Sequence, residues 1–186
     1  MVRAFIAIKI SEEVRQKLVQ IQEPLAKAGA QLKLVEPENL HLTLKFLGEV
    51  QQEKIEAIVE RIREAVVGVQ SFDIHVARVG VLPNVNYVRV VWAGVADGSD
   101  QVVELQRRID AQLAPLGFPP ERNFHPHVTI ARVKFLREKA RFAEFLKAAA
   151  GMDFGTTKVY SVSLEQSILT QKGPIYSTLS EVELKH

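Results

Sequence analysis

Apolar and polar positions follow two rhythms along this chain, and the rhythm changes from segment to segment. Val2–Ile10 is a short apolar run that ends at Ser11, a residue suited to N-cap a helix, with Glu12 and Glu13 in the first turn. Val14, Leu18, Ile21 and Leu25 recur at three- and four-residue spacing, which predicts a helix from about Glu12 to Ala28, with Gly29 as its stop. A strand is expected near Leu32–Val35, followed by a turn at Glu36-Pro37 and a strand over Leu40–Leu47. In that strand His41, Thr43 and Lys45 alternate with Leu42, Leu44 and Phe46, the period-two pattern of one polar and one buried face.

The alternation of elements continues. Glu53–Val67 reads as a helix through Ile55, Ile58, Val59 and Ile62, and Phe72–Val81 and Tyr87–Val95 as strands joined by a turn-rich LPNVN segment. Asp100–Leu116 has helical spacing, GFPPERN is a loop, and HPHVTIARV is a strand followed by a helix over Glu138–Ala149. Thr157–Gln166 and Ile175–Leu184 are expected to be strands around a turn at Lys172-Gly173-Pro174. No low-complexity tract or linker divides the chain.

With 186 residues, the chain fits one large domain or two small lobes that share a core. No apolar run approaches the roughly 18 residues that span a bilayer, and the N-terminal MVRAFIAIKI reads as a strand rather than a signal peptide. A cytoplasmic protein is expected, working as a monomer and without a membrane partner. The absence of cysteine excludes disulfides, thiol nucleophiles and Cys-ligated metal sites. A net charge of +2 with the two signs interspersed permits an anionic substrate, and suits a locally engaged phosphate better than long duplex nucleic acid.

One internal echo changes this picture. HLTL at His41–Leu44 and HVTI at His127–Ile130 both follow a proline-containing turn and both lie in strand-like segments, 127 − 41 = 86 residues apart. In a strand, residues i and i+2 point the same way, so His41 shares a face with Thr43, and His127 with Thr129. A single His-x-Thr-x tetrapeptide carries little information. Two copies about half a chain apart, in a sequence with five histidines, point to a site. Two related halves would bring both imidazoles and both hydroxyls to one groove. Displacement at phosphorus places attacking and leaving oxygens in line. One histidine could then take a proton from the nucleophile while the other gives one to the leaving oxygen, and the threonines could hold the non-bridging oxygens.

On RAFIAIKI, PENLHLTLKFLGEV, RVVWAGV, FHPHVTIARVK and the late IYSTLSEVEL, the chain resembles the 2H phosphoesterases, and within them the bacterial and archaeal RNA 2′,3′-cyclic phosphodiesterases, also called 2′-5′ RNA ligases. The likeness runs over nearly the whole chain. It implies an α+β fold, a single bilobal domain over residues 1–186 whose two antiparallel sheets face a central groove with helices outside. It also implies hydrolysis of 2′,3′-cyclic phosphate ends, tRNA fragments among them, to 2′-phosphates, with reversible 2′-5′ joining and no metal or other cofactor. By the same resemblance His41 is the proton donor and His127 the acceptor. The chemistry of the residues fixes only the pair.

Other residues are placed by parity. Lys45 falls on the His41 face and is a candidate for phosphate binding. Arg132 is an odd number of residues from His127, so a regular strand would turn it away. The resemblance favours it near substrate, which would need a bulge. His125 has the parity of His127, but Pro126 and the lack of a carboxylate partner argue for a supporting role rather than a metal ligand. His75 reads as structural, and the terminal His186 as disordered. Phe5, Phe46, Phe124, Trp92 and Tyr176 could stack on bases, although most are expected in the core. No glycine-rich phosphate loop supports ATP-driven ligation. Two other readings stay open: a ferredoxin-like RNA-binding module without turnover, and a 2H enzyme acting on another cyclic phosphodiester such as ADP-ribose 1″,2″-cyclic phosphate. Substrate range is expected to reside in the loops Leu82–Asn86 and Gly117–Asn123.

Overall fold

The computed structural model describes every residue from Met1 to His186. It is an α+β fold of nine strands and four helices: β1 (Val2–Lys9), α1 (Glu12–Ala26), β2 (Ala30–Leu34), β3 (His41–Val50), α2 (Ile55–Ala65), β4 (Phe72–Asn84), β5 (Tyr87–Val95), α3 (Ser99–Leu113), β6 (His127–Leu136), α4 (Lys139–Ala149), β7 (Asp153–Val159), β8 (Ser161–Thr170) and β9 (Gly173–Glu183). Ser11 caps α1 as expected, its hydroxyl accepting from the Val14 amide at 3.2 Å. No helix is long and apolar enough to cross a membrane.

The strands form one antiparallel sheet in the order β7-β4-β5-β6-β3-β1-β8-β9, with β2 paired to the far end of β6. The two sheets expected from the sequence are therefore joined. The join is narrow: β3 and β6 meet at the single pair Leu42↔Val128, after which β2 takes the place of β3 beside β6. Helices α2 and α3 pack on each other, with α3 against β3 and α2 against β9. Helix α1 packs on β7 and β2, and α4 on β4. The buried apolar residues of these layers form a continuous core in which Leu42, Leu44, Val128 and Ile130 are fully enclosed. Each motif strand thus buries one face against helices and keeps its histidine face free.

Three expectations about elements change. Strand β4 continues through Leu82-Pro83-Asn84, so the expected Leu82–Asn86 loop shrinks to a turn at Val85-Asn86. The stretch from Asp153 to Thr170 holds two strands, β7 and β8, where the alternation predicts one. Strand β7 escapes the pattern because Phe154 and Gly155 are both buried, and Gly155 adopts φ 93°, which breaks strict alternation. His186 is placed, with its ring 3.7 Å from Glu183.

Candidate active site

Leu42 and Val128 sit opposite each other in antiparallel strands. Counting outward from that pair sets His41 across from Thr129 and Thr43 across from His127. All four share the face away from the core, so the histidines occupy opposite corners of a four-residue patch. Diagonal neighbours of this kind stand about 7–8 Å apart at the backbone, a span that side chains can close around a phosphate. A cavity of about 480 Å³ opens there and is lined by all four residues.

The two imidazoles are held in the same way. Nδ1–H of His41 donates to the Asn39 carbonyl at 2.6 Å, and Nδ1–H of His127 donates to the His125 carbonyl at 2.7 Å. A carbonyl can only accept, so each bond fixes the proton on Nδ1 and leaves Nε2 for chemistry. This is the supporting role of His125, exerted through its backbone. The Asn39 carbonyl, its counterpart, gives no sequence signal because any residue type supplies one. His41 Nε2 lies 2.7 Å from the Thr43 hydroxyl. Burial pushes the His41 pKa below the ordinary imidazole value. The Asn39 bond and the Glu165 carboxylate work against that shift, while Arg132 and His127 add to it.

Parity counting fails at the same place in both motif strands. Against β1, Thr43 pairs with Ala7 and Lys45 with Ile6, leaving Leu44 as an extra residue. Against β5, Thr129 pairs with Trp92 and Ala131 with Val91, leaving Ile130 extra. Each is a β-bulge, and it reverses the faces beyond it. Lys45 is therefore turned off the His41 face and only borders the cavity from below. It is 3% exposed, and its ammonium lies 2.6 Å from Asp110 of α3 and 2.7 Å from the Pro119 carbonyl. Asp110 also accepts from the Gln106 side chain and the Glu121 amide. Lys45 thus anchors the loop Gly117–Asn123, from which Glu121 and Asn123 reach the cavity. The same kind of bulge turns Arg132 onto the groove face, where it is exposed and lines the cavity. The Ile130 carbonyl at that bulge accepts from the Val35 amide at 2.9 Å and from Gln22 of α1 at 3.1 Å.

Several of the aromatic residues expected in the core border the groove instead. Phe46, 66% exposed, lines the cavity together with Phe124 and Tyr176. Phe5 is buried, but its ring lies 4.9 Å from those of His41 and Tyr176. Trp92 lies 6.4 Å from His127, over Gly80, where a Cβ would come within 2.2 Å of the indole. Beside His41 a second pocket of about 250 Å³ contains Glu165, Ser163 and Thr178. Glu165 is buried and accepts from the Thr178 hydroxyl at 2.9 Å. Sequence reasoning passed it over, although Ser161, Ser163 and Glu165 alternate as a polar face in β8. His75 is structural, bonded to Asp153 at 2.9 Å across β4 and β7.

A family model described as LigT like Phosphoesterase matches residues 8–92 and again residues 94–176. The chain belongs to this family. The LigT-like phosphoesterase described here is 41% identical over 183 residues to a Methanothermobacter thermautotrophicus protein named RNA 2′,3′-cyclic phosphodiesterase, covering 98% of this chain and 99% of that one. A Methanocaldococcus jannaschii protein of the same name is 38% identical over 179 residues, with 96% and 99% covered. Among solved structures, Escherichia coli LigT in apo form matches with a TM-score of 0.76 at 27% identity, covering 100% of this chain and 98% of that one.

Proposed function

We propose that the chain is an RNA 2′,3′-cyclic phosphodiesterase that works by paired-histidine acid–base catalysis. Relatives at about 40% identity over the full length carry that name, and E. coli LigT has been crystallised with phosphate and with 3′-AMP. The observation that carries the mechanism is the patch around the Leu42↔Val128 pair, with a histidine at each of two opposite corners and a threonine at each of the others.

In hydrolysis, water attacks the cyclic phosphorus as the P–O3′ bond breaks. His127 Nε2 takes the proton from water, and His41 Nε2–H protonates the departing O3′, giving a 2′-phosphate and a free 3′-hydroxyl. Thr43, Thr129 and Arg132 hold the non-bridging oxygens, and Lys45 acts at one remove by fixing the loop beside them. When a 5′-hydroxyl attacks in place of water, His127 takes the hydroxyl proton as the P–O5′ bond forms and His41 protonates the departing O3′, which joins the ends through a 2′-5′ linkage.

The chain further reads as one bilobal domain built by duplication. The two family matches start 94 − 8 = 86 residues apart, the same offset as the two motifs. The motif strands share an identical burial sequence over their first nine positions, bulge included. We take the protein to act as a monomer in the cytoplasm on RNA ends, tRNA fragments among them.

The test is turnover of a short RNA ending in a 2′,3′-cyclic phosphate, with EDTA and without ATP. The wild type should yield the 2′-phosphate. His41→Ala and His127→Ala should each lose about 10²–10⁴-fold in kcat while keeping the native circular dichroism spectrum. Turnover surviving in either folded variant overturns the paired mechanism. An inert wild type moves the assignment to another cyclic phosphodiester, or to RNA binding without turnover.

A further inference from the structure

The groove does not end at the catalytic patch. Val90, Arg132 and Lys33 form a row across β5, β6 and β2, because Arg132 pairs with Val90 on one side and with Lys33 on the other. All three line the catalytic cavity and none of them is buried, so the row lies on the groove face. Two residues further along β2, Gln31 returns to that face and pairs with Phe135. Phe135 is 50% exposed, with the Arg137 guanidinium 5.4 Å from its ring centre, and Arg137 in turn donates to Gln31 at 2.9 Å. At the outer end of β5 a second pair repeats the arrangement. Tyr87 is 60% exposed, with Arg89 5.6 Å from its ring centre and bonded to its hydroxyl at 3.1 Å.

Charge is segregated on the same strands. The chain as a whole is close to balanced, at 24 basic and 22 acidic residues. Strands β2, β5 and β6 nevertheless carry Lys33, Arg89, Arg132 and Lys134 and no carboxylate. Carboxylates do approach the cavity, from Glu36 and Glu121, but on the loops that flank it. An exposed ring braced by an arginine offers a face for a base and a cation for a phosphate, the combination that single-stranded RNA takes. From Thr129 to Phe135 is six residues, about 20 Å of strand, which is longer than one nucleotide needs.

We propose that this strip, with Tyr87/Arg89 and Phe135/Arg137 as its two stacking stations, binds the single-stranded RNA that precedes the cyclic end. It rests on the phosphodiesterase reading above and extends it to the substrate: an oligoribonucleotide would be preferred over a mononucleotide. Continuity with the catalytic cavity and the complementary charge select this occupant.

The experiment compares kcat/KM for a nucleoside 2′,3′-cyclic phosphate and for a single-stranded oligoribonucleotide ending in the same nucleotide. The proteins are the wild type, Tyr87→Ala, Phe135→Ala and the double variant Arg89→Gln/Arg137→Gln. The oligonucleotide should be the better substrate. Each aromatic variant should lose about tenfold on it, mainly through KM, with the mononucleotide unaffected. The arginine variant should flatten the salt dependence on the oligonucleotide alone. Equal rates on the two substrates, or variants that treat both alike, overturn the strip while leaving the phosphodiesterase standing. If neither substrate turns over, the activity falls and the strip with it. Light scattering on the same proteins supplies the remaining check. A wild-type dimer that Tyr87→Ala or Phe135→Ala converts to a monomer would make the strip a self-association surface instead.

Discussion

His41 is surrounded by influences of opposite sign. Burial disfavours its cation, and Arg132 and His127 add to that effect, while the Asn39 carbonyl and the Glu165 carboxylate oppose it. In the proposed mechanism His41 is the general acid, which must carry its proton when the reaction begins. The pH profile of kcat/KM reports the free enzyme, so its alkaline limb should fall below the ordinary imidazole value of about 6.5. A bound phosphate anion favours imidazolium, so the alkaline limb of kcat should lie at higher pH. Glu165→Gln removes a charge that raises the His41 pKa and should move the kcat/KM limb further toward acid. If that limb stays in place, Glu165 does not act on His41. The position of the limb separates this role from simple loss of packing, which would lower rates without moving it.

The bulges in β3 and β6 set the chemistry of whole elements. Lys45 and Asp110 form a buried pair completed by Gln106, Glu121 and Pro119. Lys45→Met would leave the Asp110 carboxylate buried without its cation. A loss of about 3–5 kcal/mol is expected, read as a lower denaturant midpoint. Replacing both partners, as Lys45→Met with Asp110→Leu, should recover much of it, because no unpaired charge then remains. If the double variant is no more stable than the single one, the carboxylate is not what limits stability. These same bulges mark the limit of what the sequence discloses. The histidines and threonines precede the extra residue, so simple alternation places them correctly. Lys45 and Arg132 follow it, and alternation exchanges their faces. A bulge depends on how two strands hydrogen-bond, as the bonds to the Ile130 carbonyl from Val35 and Gln22 illustrate, and nothing in the residues Leu44 or Ile130 themselves announces it. Glu165 is hidden for a related reason. Its relation to His41 depends on β8 lying beside β1, an adjacency of strands far apart in the chain.

For the molecule as a whole, most helices and strands are legible from periodicity, but the order of the strands is not. The sheet runs continuously through both motif strands, yet a single residue pair, Leu42↔Val128, connects its two parts at the centre. The proposed active site straddles that connection, so the alignment of the two histidines depends on how the two parts sit against each other. The chain also contains one tryptophan, and it stands beside His127. An imidazolium quenches indole emission far more strongly than a neutral imidazole does. Trp92 fluorescence should therefore be dimmer when the neighbouring His127 imidazole carries a second proton than when it is neutral, and this difference should vanish in His127→Ala. The protein then carries its own optical indicator, which reports the charge of the imidazole proposed as base without any turnover and with no added label.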